Sequence, residues 1–141
     1  MLYIASDHAG FLRKQKIIEY LNKKGISCTD LGTDSTQSTD FPVYAKLLAK
    51  KVLEDDANRG ILICGSGIGM SICANRFKGI RAGLCTSPKL TELARQHNNI
   101  NVLVLRGRFG CTFCAKRMVD KFLNTQALDG KYKKRMQMID E

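Results

Sequence analysis

The sequence contains no apolar run that approaches the ~20 residues needed to span a bilayer. Its first residues, MLYIASDHAG, also lack the order of basic, apolar and small residues that marks a secretory signal. We therefore expect a cytoplasmic protein that does not bind a membrane. Internal repeats and low-complexity segments are absent, and 141 residues are too few for two ordinary domains joined by a linker. These absences predict one globular domain over residues 1–141.

Few side chains are available for a metal site or a disulfide framework. The six cysteines are spread through segments typical of strands and helices, which favours reduced thiols. Cys111 and Cys114 form a C-x-x-C pair, but the chain has only two histidines and no second cysteine pair nearby, so we expect no zinc site. Cys28, Cys73 and Cys85 are expected to pack in the core. A redox role is the alternative to a zinc site for the C-x-x-C pair. The sequence predicts no metal and no cofactor.

Acidic residues are scarce relative to basic ones. Lysine and arginine number 23 against 13 aspartate and glutamate residues, which gives a formal charge of +10. Such an excess suits nucleic acid, an acidic surface or phosphorylated ligands, and does not choose among them. The basic residues are scattered along helical stretches such as LRKQKIIEYLNKK without interleaved aromatic residues. We therefore expect no nucleic acid partner, and we assign most lysines to a solvated face.

Short apolar runs alternate with longer amphipathic runs, a pattern typical of repeated βα units on a parallel sheet. Strands are predicted at 2–6, 26–31, 60–64, 80–85 and 101–106. Helices are predicted at 11–25, 41–56, 69–77, 87–96 and 112–124, before a basic tail at 131–141 that would add one or two turns. Gly25 marks a helix end, and Asp40 and Ser87 are candidate N-caps. The fold class predicted is α/β, a three-layer α/β/α Rossmann-like sandwich with a five-stranded parallel sheet.

The carboxyl ends of two predicted strands carry reactive groups, and ligands of an open parallel sheet bind beyond those ends. The first strand ends in Ser6-Asp7-His8, where the simplest roles are a helix N-cap for Asp7 and an exposed first-turn position for His8. The third strand ends at Cys64, which the loop GSGIG follows. Glycines at alternate positions allow the backbone amides to point into one space, at the positive end of the next helix. That space favours an anion.

Met70 decides among the interpretations of the loop after Cys64. The dinucleotide fingerprint G-x-G-x-x-G needs a glycine where Met70 stands, and no G-K-[ST] follows, so a nucleotide is not expected. A cysteine phosphatase would need an arginine there, which disfavours Cys64 as a nucleophile. The third hypothesis makes Cys64 a base beside a carbonyl substrate, with the loop holding an enediolate oxygen. A positioned acid or base contributes ~10²–10⁴ in rate, and each oxyanion donor ~10²–10³.

The chain contains six segments at characteristic separations: SDHAGFLRK, DFPVYA, GILICGSGIGMSICANR, GIRAGLC, ARQHNNINVLVLRGR and DGKYKKR. In order and spacing, they resemble the type B ribose-5-phosphate isomerases and the related galactose-6-phosphate isomerase subunits. The resemblance covers nearly the whole chain. It implies interconversion of ribose 5-phosphate and ribulose 5-phosphate through a cis-enediolate. The alternatives are the same chemistry on galactose 6-phosphate or allose 6-phosphate, or a phosphosugar- or nucleic-acid-binding protein without catalysis.

The resemblance assigns a role to each residue that matches the family pattern. Cys64 would be the base that moves a proton between C1 and C2, His97 the acid that opens the sugar ring, and Ser66 the group that polarises the thiol. Arg108 and Arg135 would hold the phosphate. The substrate-binding set that it implies is Asp7, His8, the amides of Gly65, Gly67, Ile68 and Gly69, Asn98, Arg108, Lys131 and Arg135.

Two departures from the family pattern bear on this set. One branch of the family lacks the cysteine and has a glutamate at the position of Met70, so this chain resembles the thiol branch. The family tail reads Gly-Arg-His where this chain has Gly130-Lys131-Tyr132. Lys131 keeps the positive charge but lacks the planar fork of arginine, so Arg135 is the better phosphate ligand.

The predicted order of elements separates His97 from Cys64. His97 follows the fourth helix and precedes the fifth strand, which places it at the amino edge of the sheet, whereas Cys64 lies at the carboxyl edge. Both can touch one small sugar only if a second subunit brings its 97–98 corner over the Cys64 loop. We therefore expect a twofold homodimer with shared active sites. The alternative is that His97 only caps a helix end.

Overall fold

Five parallel strands alternate with helices in the computed structural model, which describes all 141 residues. The strand order is β2-β1-β3-β5-β4, and helices cover both faces of the sheet, so the predicted sandwich is confirmed. A short 3-10 helix at His8–Gly10 follows the first strand. The strands are β1 (Leu2–Ser6), β2 (Thr29–Asp30), β3 (Arg59–Cys64), β4 (Ala82–Leu84) and β5 (Val102–Arg106). The helices are α1 (Phe11–Lys23), α2 (Phe41–Val52), α3 (Ile68–Ala74), α4 (Pro88–Asn98), α5 (Thr112–Asn124) and α6 (Lys131–Ile139).

The apolar strands divide the core into two clusters, one on each face of the sheet. Successive side chains of a strand point to opposite faces, so Ile61 and Ile63 of β3 join one cluster while Leu62 and Cys64 join the other. Helices α1 and α5 complete the first cluster, and α2 and α3 complete the second. Each large apolar side chain that is fully buried contributes about 1.5–3 kcal/mol to folding. Since Cys64 belongs to the second cluster, its side chain lies on the face of the sheet that α3 covers.

The order in which the chain adds strands to the sheet reverses between β1 and β3. From β1 it moves outward to β2, and it then returns to β3 on the other side of β1. Ser6 and Ile63 are register partners, so the next residues, Asp7 and Cys64, leave neighbouring strands at the same edge. Neighbouring strands lie about 4.8 Å apart. This arrangement opens a crevice beyond the carboxyl ends of β1 and β3, where open α/β sheets bind ligands.

Several predicted boundaries are wrong by a few residues. Strand β2 is only two residues long because it is an edge strand that pairs with β1 alone. Asp40 stands at the N-cap of α2, but its side chain accepts no hydrogen bond, whereas Ser87 caps α4 by accepting from the Leu90 amide at 3.1 Å. The tail forms a nine-residue helix, α6, which is longer than the one or two turns expected because it packs against α4. None of the helices combines the length and the apolar character that crossing a membrane would require.

Candidate active site

Asp7 and His8 directly follow β1 and form the first part of the candidate site. Asp7 is 7% exposed, and its Oδ1 accepts hydrogen bonds from the Ala9 and Gly10 amides at 3.0 and 3.1 Å, so the N-cap role predicted for it is confirmed. Its Oδ2 accepts no hydrogen bond within the chain. The Nδ1 of His8 accepts from the Thr39 amide at 3.1 Å. This bond orients the ring and leaves the proton of the neutral imidazole on Nε2. The pair thus offers one free carboxylate oxygen and one free N–H donor.

The loop after Cys64 presents a series of unpaired backbone donors. The N–H groups of residues 65, 66, 67, 69 and 70 donate to no acceptor within the chain. The Ile68 amide differs, because it donates to the Ser66 Oγ at 3.3 Å. The Ile68 amide, which the resemblance assigned to the substrate, is thus the one loop amide with a partner in the chain, and the Met70 amide is a further unpaired donor. Unpaired N–H groups of this kind stabilise an oxyanion when they are fixed in advance.

Ser66 and Cys64 are close in sequence but do not form the hydrogen bond that their implied roles would suggest. Cys64 is 5% exposed, and its thiol has no hydrogen-bond partner in the chain. The Ser66 Oγ accepts from the Ile68 amide, which leaves its own O–H free to donate. Ser66 therefore stabilises the turn in this structure.

Gly67 fixes the shape of the loop through its backbone. Its φ is +80°, and an added Cβ would lie 2.5 Å from Leu84 Cδ1. Replacing Gly67 by alanine is expected to lower the free energy of unfolding by about 2 kcal/mol or more, since it combines a left-handed backbone with a steric clash. Gly65 is the matched control, because the nearest atom to an added Cβ there lies at an ordinary 3.5 Å.

Urea unfolding followed by circular dichroism measures this difference. Gly65→Ala should change the free energy of unfolding by about 0.5 kcal/mol or less. Equal losses in the two variants would contradict the role assigned to the left-handed turn.

The loop after β5 lies against the Cys64 loop. The Cys64 carbonyl accepts from the Gly107 amide at 2.8 Å, and the Gly65 carbonyl accepts from the Arg108 amide at 3.1 Å. The guanidinium Nη1 of Arg108 lies 3.6 Å from the position that a Gly65 Cβ would occupy. Arg108 therefore belongs to the same edge of the sheet as Cys64.

Arg13 of α1 holds the loop that carries Arg108. Its guanidinium donates to the carbonyl oxygens of Arg106, Phe109 and Gly110 at 2.8, 3.0 and 3.1 Å. Three hydrogen bonds from one charged group fix the loop on both sides of Arg108.

His97 belongs to a second group of residues, formed by α4 and α6. Its ring stacks on Tyr132 with centroids 4.6 Å apart and planes 6° apart. His97, Asn98 and Arg135 line one groove together with Tyr132. The Lys131 ammonium lies 5.3 Å from the centroid of the Tyr132 ring. Four of the predicted site residues thus meet here, around an aromatic ring that the prediction did not include.

The two groups lie at opposite edges of the sheet. Cys64 pairs with Arg106 at the carboxyl end of β3, and Gly60 pairs with Val102 at the other end. The four-residue step between these pairs spans about 13 Å of strand. His97 precedes Val102 and lies beyond that amino end. One chain therefore brings neither His97 to Cys64 nor Arg135 to Arg108. The order of elements predicted the first of these separations.

The sequence matches a family model described as Ribose/Galactose Isomerase over residues 2–139. The chain belongs to the ribose/galactose isomerase family. One relative is ribose-5-phosphate isomerase B of Escherichia coli K12, which is 42% identical over 133 residues, or 94% of this chain and 89% of its own length. The family resemblance drawn from the sequence is confirmed.

Solved structures of other family members have the same fold. A ribose 5-phosphate isomerase from Thermotoga maritima is 49% identical and superposes with a TM-score of 0.96, covering 99% of this chain and 96% of its own. Ribose-5-phosphate isomerase B from Mycoplasma genitalium, solved with bound ribulose-5-phosphate, is 40% identical with a TM-score of 0.94 and covers 98% and 92% of the two chains.

The sequence alone did not identify some residues at this candidate site. The Thr39 amide orients His8, and the buried Thr39 hydroxyl has no hydrogen-bond partner in the chain. Arg13 looked like one of many basic residues on an amphipathic helix, and no local pattern showed its contacts. Tyr132 did carry a signal, since it stands where the family tail has a histidine.

Proposed function

We propose that this chain is an aldose–ketose isomerase that interconverts ribose 5-phosphate and ribulose 5-phosphate. The observation that carries the proposal is the Cys64 loop. A thiol at the end of β3 is followed by unpaired backbone N–H groups, beside a carboxylate and an imidazole that each have one free polar atom. A base next to fixed donors is the arrangement needed to abstract a proton adjacent to a carbonyl group.

The chemical step moves one proton between two carbons. In the open-chain aldose, the Cys64 thiolate removes the proton from C2, and electrons from the broken C–H bond form an enediolate with negative charge on O1. The unpaired amides of the loop stabilise that oxygen. The Cys64 thiol then returns the proton to C1, while the hydroxyl proton passes from O2 to O1. C2 thereby becomes the carbonyl carbon of the ketose.

The groups around Cys64 orient the sugar. Nε2 of His8 donates to a sugar oxygen, and Oδ2 of Asp7 accepts from a hydroxyl group. The unpartnered Thr39 hydroxyl is a further donor at this edge, which would explain why it is buried without a partner. Arg108 supplies a positive charge for the phosphate.

His97 supplies the acid for opening the furanose ring. Protonation of the ring oxygen breaks its bond to C1, as the C1 hydroxyl loses its proton and becomes the aldehyde. Asn98 beside it contacts the sugar, and Arg135 with Lys131 adds positive charge for the phosphate. These four residues lie at the edge opposite Cys64, so they act on a substrate held by the Cys64 loop of another copy.

The second copy is therefore part of the proposal, as a twofold homodimer with shared sites. The exposed face of α3 supports it: Ile68 and Ile72 lie one helical turn apart and are 54% and 55% exposed, directly after the Cys64 loop. An apolar groove that includes Leu84 and Leu90 adjoins Asn98 at the other group. Exposed apolar surfaces of this kind are typical of contacts between subunits. Closing the two surfaces on each other would complete each site.

Steady-state assays with five- and six-carbon aldose phosphates test the assignment. The purified wild-type chain, with EDTA present, is expected to convert ribose 5-phosphate with a higher kcat/KM than galactose 6-phosphate or allose 6-phosphate. EDTA should have no effect, because side chains perform each proton transfer in the proposed mechanism. Preference for a six-carbon substrate would overturn the substrate assignment alone. Failure to convert any of the three would favour a binding protein without catalysis.

A further inference from the structure

Two thiols outside the isomerase site lie together at the start of α5. Cys111 is the N-cap residue of the helix, and Cys114 lies in its first turn. Both are free thiols; Cys111 is exposed and Cys114 is half-buried. The remaining cysteines are buried or half-buried and are distributed along other elements, so Cys111 is the one exposed cysteine of the chain.

The first turn of α5 gives the two sulfurs different chemical roles. The Cys114 amide donates to the Cys111 Sγ at 3.3 Å. This bond, together with donation from the Cys114 thiol and the charge of Arg13, holds the pKa of the Cys111 thiol below its usual range. The pKa of the Cys114 thiol is raised, because it donates to the Cys111 sulfur. Cys111 is thus the better nucleophile, and Cys114 is a thiol already in contact with it.

The exposed position of Cys111, beside a small cavity, gives a small disulfide access to the pair. A small cavity of about 70 Å³ is lined by both cysteines and by Arg13 and Phe109. No third histidine, cysteine, aspartate or glutamate completes a metal-binding group with them. Arg13 holds the preceding loop through the Phe109 and Gly110 carbonyls, so Cys111 stands at the end of a fixed segment. Cys111 is exposed, so its sulfur is accessible at this position.

We propose that Cys111 and Cys114 form a redox-active dithiol that exchanges with small-molecule disulfides of the glutathione type. The Cys111 thiolate attacks one sulfur of the disulfide, forming a mixed disulfide and releasing one thiolate. Cys114 then loses its proton and attacks the Cys111 sulfur, which releases the second thiolate and closes the Cys111–Cys114 disulfide. The two cysteines lose two electrons in all, and the small disulfide gains them as it becomes two thiols.

Peptide mapping separates this pair from the thiol of the isomerase site. Trypsin places Cys111 and Cys114 in one peptide, FGCTFCAK, and places Cys64 and Cys73 in another, residues 60–76. The full-length protein is incubated with oxidised glutathione at neutral pH, freed of glutathione, unfolded in urea so that buried thiols react, alkylated with iodoacetamide and digested. The FGCTFCAK peptide is expected to be two hydrogen atoms lighter and to carry no alkyl group. After treatment with a dithiol reductant, both of its cysteines should become available for alkylation again. Peptide 60–76 should remain alkylated at both cysteines.

Two single variants assign the roles. In Cys114→Ser, which cannot complete the second step, a glutathione adduct on Cys111 should accumulate about tenfold faster or more than any adduct on Cys111→Ser. Urea unfolding confirms that both variants are folded. Equal rates in the two variants, absence of the trapped adduct, or a wild-type FGCTFCAK peptide that stays fully alkylated would each overturn the proposal.

Discussion

Replacing Cys64 by alanine is expected to lower kcat for ribose 5-phosphate by about 10²- to 10⁴-fold, with a much smaller change in KM. The thiol is the group proposed to carry the proton between C1 and C2, and alanine cannot accept a proton. Substrate binding relies on other groups, including the free atoms of Asp7 and His8. The measurement is steady-state isomerisation of ribose 5-phosphate with EDTA present.

Cys73→Ala is the matched control for this variant. Cys73 is a half-buried residue of α3 that packs against the same apolar cluster as Cys64. Its replacement removes a sulfur of the same kind without removing the proposed base, so activity should remain close to wild type. If Cys64→Ala kept the wild-type kcat, Cys64 would not be the base. A loss of similar size in Cys73→Ala would point to packing on α3 as the cause.

Mixing Cys64→Ala with His97→Ala is expected to restore activity to about one quarter of the wild-type value, starting from two nearly inactive proteins. A heterodimer of the two variants has one site with both replacements and one site with neither. Free exchange of subunits makes half of the dimers mixed, and half of the sites in each mixed dimer are intact. The recovery follows from the location of the two residues at opposite edges of the sheet.

The control for this experiment is a mixture of Cys64→Ala with the double variant Cys64→Ala, His97→Ala. It undergoes the same exchange but has Cys64 in no subunit, so it should recover nothing. Subunit exchange is verified by native mass spectrometry of differently tagged chains. Absence of recovery in the test mixture, when mixed dimers are present, would contradict shared sites.

Most of the fold could be predicted because its signals are local. The apolar runs of β1, β3 and β5 are buried on both faces, and markers such as Gly25 and Ser87 stand where helices end and begin. The length of β2 was predicted less well, because an edge strand ends where its pairing with β1 ends. Helix α6 is held against α4 by the stacking of Tyr132 on His97, a contact between segments far apart in sequence that local signals do not show.

The candidate site likewise contains residues that the sequence reveals and residues that it does not. Cys64, its glycine loop and Asp7 were found from the sequence because strand ends and alternate glycines are visible there. The donation of the Thr39 amide to His8 and the contacts of Arg13 depend on how distant segments fold together, and one sequence does not reveal them. The partner of Ser66 was also hidden, since its Oγ accepts from an amide only two residues away.

In the proposed dimer, the parallel sheet fixes the distance between the two active sites. Each chain serves one site with its carboxyl edge and the other with its amino edge, so the length of β3 and β5 sets how far apart the two sites stand. Side chains in the middle of β3, such as Leu62, touch no substrate, yet they keep that spacing fixed. Lengthening or shortening these strands by two residues would keep every side chain on its own face while shifting one half of each site against the other by about 7 Å.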